Sequence, residues 1–390
     1  MKRICFLTDS IFSYGGVQRV TAVIAKELAK EYDVTIVTMD SPESMDKHMY
    51  ELDSVNLSFR FLKWPTYESK VARLSKLYSA LYRKVLPKTD YTSHLYGYSC
   101  FTPAKRKTLI EELNDGNYDV IIGVHAPLAA RLATIKHHLG KAKVIGWIHN
   151  SFEALYSKGS TYIGNELKHH YVYQLKRLDD VVVLCNHDAE KYCDYDKEIR
   201  PTVIYNPLTL APGEMSEGNS KKFLAVGRFS RLHKGFDLLI KAFSIFAKNN
   251  KEWTLDIVGE GVEENMYHKL IAEHNMHDRI TIHPFTDDVQ QYYSNAQIYV
   301  LSSRWEGFGL VLVESMAHGL PIVSSDIPTS KEIMGDFGIY FKNGDIEELA
   351  KALEESTHIN WQQSAEQAIN IANSFDIKNI IGKWKDIIDA

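Results

Sequence analysis

The chain has 390 residues, more than one ordinary hydrophobic core accommodates, so we expect two domains. Its composition is 45% hydrophobic and 24% charged, as in a soluble globular protein. The net charge of −5 argues against a general nucleic-acid binder, because such proteins need a positive surface to neutralise phosphates.

The N-terminal segment, the hydropathy and the cysteines of the chain indicate its cellular compartment. The apolar run 4–7 stops at Thr8 and is too short for a signal peptide. No segment approaches the ~20 apolar residues of a membrane span. The cysteines have no metal-ligand spacing and are interpreted as reduced thiols: Cys5, Cys100, Cys185 and Cys193. We therefore expect a cytoplasmic protein.

Short β-rich runs alternate with helical patterns through residues 1–205, the expected N-terminal domain. Five buried parallel strands are predicted, at 3–8, 33–38, 119–124, 143–149 and 180–185. The stretch 17–31 is typical of the helices between them, because Val20, Ile24 and Leu28 fall on one stripe. Such alternation predicts right-handed βαβ units and a parallel sheet.

A second alternating series follows residues 206–220, which are rich in Pro, Gly, Ser and Asn and are predicted to be a linker. In the C-terminal domain, 221–376, the predicted strands are 222–227, 254–259, 279–283, 298–303, 321–325 and 338–341. The fold class is therefore α/β, with two Rossmann-like domains facing a cleft. Such domains bind ligands at the carboxyl ends of their strands.

The stretch SSRWEGFGLVLVE, residues 302–314, reads as a turn between a strand and a helix. Gly307 and Gly309 in this turn leave N–H groups open at a helix N-terminus, which favours anionic groups. Glu306 and Glu314 can accept hydrogen bonds from hydroxyls. Phosphate between two hydroxyl-bearing ends is the layout of a nucleotide sugar. The alternative is a helix cap with two solvated glutamates.

Two cations follow the first strand of the C-terminal domain. That strand ends at Gly227, and Arg228 and Lys234 flank the turn before a helix that begins near Gly235. Paired cations at a strand mouth can neutralise a diphosphate. The alternative is that both are ordinary surface charges.

The N-terminal domain offers weaker signals. Gly15 and Gly16 follow the first strand and open the first helix, where glycine permits close approach of a phosphate or sugar. A plain turn is the alternative. His149 and His125 each end an apolar strand, and we favour a functional role for His149 because the two strands are neighbours.

Together these motifs resemble glycosyltransferase family 4: the Gly-Gly pair, the histidine, the Gly-Arg…Lys turn and above all the Glu-x7-Glu with its embedded Gly-Phe-Gly. The resemblance implies a retaining, hexosyltransferase-type enzyme of the GT-B fold. It also implies that the N-terminal domain binds the acceptor, that the C-terminal domain binds the donor, and that the last helix, about 377–390, packs back on the N-terminal domain.

The resemblance assigns roles to individual positions. Arg228 and Lys234 would bind the donor diphosphate, Glu306 and His149 would contact the transferred sugar, and Glu314 would bind the ribose. The remaining donor-binding positions would be Gly15, Gly16, Gly227, Phe308, Gly309 and Leu310, with Phe285 as a wall of the nucleobase site. A UDP-sugar is the favoured donor, and it is a substrate, so no cofactor is expected.

Fixed cations aimed at the leaving group remove the need for a metal. The chain does contain an Asp-x-Asp, Asp194 to Asp196, which metal-dependent transferases of another fold use. We interpret it as a solvated turn and expect no metal ligands. Two other functions stay open: a nucleotide-sugar epimerase of the same fold, and a non-catalytic nucleotide-sugar-binding protein.

The segment 60–107 carries eleven Lys or Arg residues and only two acids, a net charge of +9. Its helical part, 67–87, interleaves leucines with cations, and aromatic residues lie among them. Such a face can lie on an anionic membrane. The alternative is that the leucines pack on the core. We expect a peripheral enzyme on the inner membrane face, with a lipid-linked saccharide acceptor used in building a cell-surface glycan.

Overall fold

The computed structural model describes residues 1–65, 69–210 and 213–390, with side chains in all of these except 69–73. Contacts divide the chain into two compact units. Unit 1 comprises Met1–Pro207 and Ile377–Ala390, and unit 2 comprises Leu208–Asp376.

Unit 1 is built on a seven-stranded parallel sheet with strand order β3-β2-β1-β4-β5-β6-β7. Its strands are β1 Arg3–Thr8, β2 Asp33–Thr38, β3 Ser58–Phe61, β4 Val120–Val124, β5 Lys143–Trp147, β6 Asp180–Val183 and β7 Thr202–Val203. Its helices are α1 Gly16–Leu28, α2 Ser69–Lys84, α3 Asp90–Cys100, α4 Pro103–Gly116, α5 Ala126–Ile135, α6 Phe152–Tyr156, α7 Lys168–Leu175 and α8 Asn186–Tyr195. Short 3-10 turns lie at Pro42–Ser44, Met49–Glu51, Lys136–His138 and Asn165–Leu167.

Unit 2 repeats the plan with a six-stranded parallel sheet in the order β10-β9-β8-β11-β12-β13. Its strands are β8 Lys222–Val226, β9 Thr254–Val258, β10 Ile280–His283, β11 Ile298–Leu301, β12 Ile322–Ser325 and β13 Ile339–Phe341. Its helices are α9 Arg231–Lys234, α10 Phe236–Phe246, α11 Glu264–Glu273, α12 Gln290–Ser294, α13 Leu310–Ala317, α14 Pro328–Met334, α15 Ile346–Ser356 and α16 Trp361–Asn373.

The predicted fold class is confirmed: each unit is an α/β layer structure around a parallel sheet. All eleven predicted strands are present, each within two residues of its expected bounds. The stripe of Val20, Ile24 and Leu28 on α1 is fully buried, as its spacing indicated. Two strands, β3 and β7, were not predicted from the sequence. Both lie at the edges of their sheet, where short strands carry little apolar signal.

The last helix, α17 Ile377–Asp389, belongs to unit 1 and packs on α1. The ring of Trp384 lies 4.7 Å from that of Trp147 on β5. Lys385 forms an ion pair with Glu31 at 2.7 Å. The C-terminal helix of the chain is thereby packed on unit 1, as the resemblance implied.

The stretch 206–220 was predicted to be a linker, and the structure corrects this. From Leu208 onward it is part of unit 2, apart from residues 211–212, which lie outside the described residues. The amide of Leu208 donates to the carbonyl of Phe375 at 2.8 Å, and the buried Ser216 hydroxyl donates to the carbonyl of Ala296. A stretch rich in Pro, Gly and Ser is unfavourable for helices and strands, but this composition does not prevent packing.

Candidate active site

Two loops of unit 2 follow neighbouring strands. The β8 loop, 227–235, follows β8, and the β11 loop, 302–309, follows β11. These strands pair at the centre of the sheet, and the strand order reverses between them. In open α/β sheets, ligands bind at the carboxyl ends of the strands at such a switch point. The residues that the sequence singled out on both loops are therefore brought to the expected binding edge.

A buried ion pair joins the two loops. The ammonium of Lys234 lies 2.8 Å from Oε1 of Glu306, and their side chains are only 11% and 7% exposed. The hydroxyl of Ser303 donates to the same oxygen at 2.6 Å, and Nε2 of His233 lies 3.4 Å from Oε2. The interpretation of Glu306 as a solvated helix-cap residue is thus wrong.

The charge state of Glu306 follows from these contacts. Burial by itself raises the pKa of this carboxyl, but Lys234 and His233 outweigh burial and hold the pKa well below its usual range. Glu306 is therefore an anion at neutral pH. Its carboxylate can accept hydrogen bonds from sugar hydroxyls while it keeps Lys234 in place.

The two loops are fixed to each other by further contacts that do not involve the ion pair. The Ser302 hydroxyl donates to the carbonyl of Lys234 at 2.9 Å, and the Arg304 amide donates to the carbonyl of His233 at 2.7 Å. The Arg304 guanidinium donates to both carboxylate oxygens of Asp237, each at 3.0 Å. The ring of His233 stacks on Trp305. These contacts fix the positions of the two loops relative to each other.

Glycine is required where the loops approach most closely. Gly235 has φ 66°, and a Cβ there would lie 2.1 Å from the carbonyl oxygen of Ser302. A Cβ on Gly227 would lie 2.8 Å from Cε of Lys234. Any side chain at Gly235 would therefore push the two loops apart, and one at Gly227 would displace Lys234.

Arg228 differs from its partner cation. It is exposed at the end of β8, and within the described residues its guanidinium forms no hydrogen bond or ion pair. The sequence placed both cations on one turn, but α9 intervenes, and Lys234 is its last residue. One cation is therefore held in the protein and the other is available to an anion.

The β11 loop ends at the N-terminus of α13. Gly309 is the cap residue, with φ 80°, in the left-handed region that favours glycine, and Leu310 is the first helical residue. The side chain of Phe308 is buried, with its ring 5.6 Å from that of Phe375. Phe308 is thus an anchor of the loop, so its predicted contact with the donor would come from its backbone.

Glu314 is also buried, at 2% exposure, which corrects the interpretation of a solvated side chain. Thr209 donates to its Oε1 at 3.1 Å and Tyr293 donates to its Oε2 at 3.2 Å. Two protein hydroxyls thus bind the carboxylate to which the resemblance assigns a ribose diol, and each takes only one of the two lone pairs of its oxygen. Phe285 lies beyond the edge strand β10, two strands from β8, and is 43% exposed.

In unit 1 the loop after β1 is held by two residues that sequence reasoning missed. The carboxylate of Asp40 accepts hydrogen bonds from the amides of Ile11 and Phe12, at 2.7 and 3.1 Å. The Tyr50 hydroxyl accepts from the amide of Gly15 at 3.0 Å and donates to the carbonyl of Ser13. The sequence separation of these partners, about thirty residues, left no local signal. The Gly15 amide is therefore engaged, and Gly16 begins α1.

His149 lies two residues beyond β5 and is 7% exposed. Its ring is 4.3 Å from the ring of Trp147 and 5.3 Å from that of His125. Burial and the neighbouring His125 hold the pKa of His149 well below its ordinary value, so its imidazole is neutral at neutral pH. Within the described residues, Nε2 of His149 has no hydrogen-bond partner, although it is buried.

The fold defines the class: two α/β units, each built on a parallel sheet, are the plan of the GT-B glycosyltransferases. The family model for Glycosyltransferase Family 4 matches residues 14–211, and that for Glycosyl transferases group 1 matches 212–374. The chain belongs to glycosyltransferase family 4, which confirms the resemblance seen in the sequence.

Individual relatives agree with this assignment. An uncharacterized glycosyltransferase of Haemophilus influenzae is 29% identical over 399 residues, covering 100% of both chains. The poly(glycerol-phosphate) alpha-glucosyltransferase of Bacillus subtilis is 29% identical over 224 residues, 54% of this chain and 32% of that protein. The structure of Anabaena HepE in complex with UDP-glucose matches 100% of both chains with a TM-score of 0.72 at 18% identity. The last likeness shows the fold alone.

Proposed function

We propose that this protein is a retaining glycosyltransferase that moves a sugar from a UDP-sugar to a saccharide acceptor without a catalytic metal. The observation that carries the proposal is the Lys234–Glu306 ion pair beside the available cation of Arg228, at the switch point of unit 2. The UDP donor is supported by HepE, a protein of the same fold that binds UDP-glucose.

The proposed mechanism follows from charge. When the bond between the sugar and the diphosphate breaks, negative charge develops on the departing oxygen. Arg228 and the ammonium of Lys234 would stabilise it, since an ammonium has three donors and Glu306 takes one. Glu306 would hold sugar hydroxyls, and the sugar contact that the family resemblance assigns to His149 remains part of the proposal. Attack from the face that the diphosphate leaves would give retention without a protein nucleophile.

The proposal is tested by a mass-spectrometric screen of UDP-, GDP- and ADP-sugars with the purified protein, with and without candidate saccharide acceptors. We expect transfer, or slow hydrolysis when no acceptor is present, with UDP-sugars. Nuclear magnetic resonance of the product would give its anomeric configuration. Binding of a nucleotide sugar with no turnover would favour a non-catalytic sensor, and interconversion of two UDP-sugars would favour an epimerase.

Activity is expected to survive treatment with EDTA, because the donor site supplies its own cations. Both residues of the Asp-x-Asp are engaged elsewhere: Asp194 pairs with Lys197 at 3.1 Å, and Asp196 pairs with Lys176 at 3.1 Å. Turnover is measured before and after chelation and again with added Mn²⁺ or Mg²⁺. Complete loss on chelation with recovery on adding metal would contradict the metal-independent mechanism. The variant with both Asp194 and Asp196 changed to Asn is the control and should keep full activity.

We also propose that the enzyme acts at a membrane surface, on a lipid-linked acceptor in cell-surface glycan synthesis. The support is the orientation of α2, whose apolar face is not on the core. Leu74, Leu77, Leu81 and the following Val85 share one face at helical spacing and are 71%, 60%, 42% and 74% exposed. Tyr82 of the same helix is fully buried instead. The alternative, that these leucines pack on the core, is wrong for the described residues.

The structure also reduces the number of charged and aromatic residues in segment 60–107 that could contact a membrane. Residues 66–68 of this segment lie outside the described residues. Tyr82, Tyr96 and Phe101 are core residues of unit 1, so they do not serve a membrane interface. Arg60 is paired with Glu112 and Asp115. Lys84, beside the apolar face, is exposed. An apolar stripe rimmed by cations matches the boundary of an anionic bilayer, where each Lys or Arg contributes about 1 kcal/mol. None of the described helices has both the length and the apolar character to cross a bilayer.

Sedimentation with vesicles tests this proposal. We expect the protein to bind vesicles that contain anionic lipid, and to release them as salt rises. Changing Leu77 and Leu81 to Ser, or Lys84 to Glu, should weaken binding several-fold without loss of stability, because these side chains are exposed. Val262→Ser is the matched control, since Val262 is 94% exposed in unit 2. If the wild-type protein did not bind anionic vesicles at low salt, the proposal that it acts at a membrane surface would be wrong, and a soluble acceptor would be favoured.

A further inference from the structure

The residues that precede Lys234 and Glu306 in the chain form a second contact between the β8 loop and the β11 loop. The ring of His233 lies 3.8 Å from the ring of Trp305, and the two ring planes are only 4° apart. Both side chains are half-buried. Each loop therefore carries an aromatic residue next to a charged one, and the stacked rings adjoin the ion pair.

The two oxygens of the Glu306 carboxylate have different numbers of donors. Oε1 accepts from the ammonium of Lys234 at 2.8 Å and from the hydroxyl of Ser303 at 2.6 Å. Within the described residues, Oε2 accepts only from Nε2 of His233, at 3.4 Å. Each carboxylate oxygen offers about two lone-pair sites, so Oε1 is filled and Oε2 has one site left. A ligand hydroxyl that binds this carboxylate therefore binds Oε2, next to His233.

The contact with Glu306 also fixes the state of the His233 ring. A carboxylate only accepts hydrogen bonds, so Nε2 of His233 carries a proton. Stacking on Trp305 restricts rotation of the ring and keeps this N–H directed at Oε2. Without this donor the carboxylate would be anchored at Oε1 alone and could turn about that oxygen. The direction of the remaining lone pair on Oε2 therefore depends on His233.

We propose that His233 is a positioning residue, which orients Oε2 of Glu306 toward a hydroxyl group of the transferred sugar. Trp305 holds the histidine by stacking, and the histidine holds the carboxylate. The inference rests on the proposed function, and it adds a residue to which the motifs of the sequence assigned no role. Binding of the nucleotide would depend on other residues, so loss of the His233 donor should lower kcat more than it raises KM.

Two variants separate the hydrogen bond of His233 from its stacking. His233→Phe keeps an aromatic ring on Trp305 but has no donor, whereas His233→Gln keeps an N–H donor but has no ring. We expect His233→Phe to lose about 10- to 100-fold in kcat, the effect of one hydrogen bond to a charged group. His233→Gln should keep more activity than His233→Phe but melt at a lower temperature. Steady-state kinetics and calorimetry would measure the two rankings.

The opposite order of the two rankings is what a purely structural role would not produce. If activity followed the melting temperature, with His233→Phe at or above His233→Gln, the ring would only fasten the loops and the proposal would be wrong. Wild-type kcat in His233→Phe would also overturn it. His358 is the matched control, because its Nε2 lies 3.6 Å from Glu354 while its side chain is 74% exposed. The same two substitutions at His358 should leave kcat unchanged.

If the wild-type protein transfers no sugar, the proposed function fails by itself, and NMR of the protein without ligand decides the inference. Nitrogen-15 spectra of the histidine rings report which ring nitrogen carries the proton. The signals of His233 are those missing from His233→Phe. We expect its Nε2 to be protonated and to change frequency in Glu306→Gln. A ring protonated at Nδ1 alone, or signals that do not respond to Glu306→Gln, would overturn the proposal.

Discussion

Arg228→Ala is expected to lower kcat by about 10²–10³ while the melting temperature stays unchanged. Loss of one fixed donor aimed at a developing oxyanion typically costs this much. The stability should hold because the Arg228 side chain is exposed and forms no ion pair within the described residues. Steady-state kinetics with the best donor of the nucleotide-sugar screen, alongside calorimetry, would measure both effects.

Lys248→Ala is the control for Arg228→Ala. It removes the same charge from an exposed position just beyond the end of α10. Because α10 runs back from the binding edge of the sheet, Lys248 lies at the opposite edge from Arg228. Its turnover should equal that of the wild type. If Arg228→Ala kept wild-type kcat with an intact fold, Arg228 would have no part in stabilising the leaving group.

Lys234→Met is expected to abolish turnover and also to destabilise the protein, unlike Arg228→Ala. The ion pair of Lys234 with Glu306 is buried, and removing one partner of such a pair leaves an uncompensated charge that costs about 3–5 kcal/mol. Adding Glu306→Gln should recover much of the free energy of unfolding, because it removes the stranded charge, but it should not recover activity. Denaturant unfolding and kinetics on the two single variants and the double variant form the cycle.

The exposed pair of Lys197 and Asp194 is the control for this cycle. Its side chains are both 75% exposed at a separation of 3.1 Å, so Lys197→Met should cause no measurable loss of stability. Equal effects of Lys234→Met and Lys197→Met on stability would contradict the buried character of the Lys234–Glu306 pair. Recovery of turnover in the double variant would contradict the catalytic role of both residues.

The same pair predicts a pH dependence of stability. Burial raises the pKa of Glu306, but Lys234 and His233 lower it by more, so its folded-state pKa lies below the ordinary value of 4.5. A lowered carboxyl pKa contributes stability that is fully present above about pH 4.5 and is lost as the pH falls through the folded-state value. The wild-type advantage over Glu306→Gln should therefore be constant from pH 5 to 7 and shrink in more acidic solution. An advantage that grew on acidification would show that the pKa is raised.

The strands and their class were predictable because parallel strands buried on both faces are continuous apolar runs between amphipathic helices. The chemistry at strand ends was also readable, since Arg228, Lys234 and Glu306 each follow a strand, and the carboxyl ends of parallel strands share an edge. The linker assignment failed because the composition of 206–220 reports the lack of regular structure, whereas packing of Ser216 and Leu208 depends on distant partners.

Helix α2 shows what the periodicity of apolar residues cannot decide, namely which face of a helix is buried. Its sequence contains a leucine stripe and a tyrosine stripe, and either could face a core. Which one is buried depends on α3 and α7. The ring of Tyr82 lies 4.4 Å from that of Tyr96 on α3 and 6.3 Å from that of His170 on α7, whereas Leu77 is exposed. The buried hydroxyl of Tyr82 also hydrogen-bonds Ser93 on α3. Hydrophobicity alone favours burying the leucines. The tyrosine face is buried instead because the hydroxyl of Tyr82 finds a hydrogen-bond partner in the folded protein.

The sequence by itself determined the two α/β units, the family and the residues that meet at the carboxyl edge of each sheet, because local periodicity and strand-end chemistry are written in consecutive residues. Only the tertiary structure decided that Glu306 is a buried anion paired with Lys234, that Asp40 and Tyr50 hold the Gly15 loop, and that His125 bears a strained backbone beside His149. Each of these depends on contacts between residues far apart in the chain or on a dihedral angle, and neither is encoded in a local pattern.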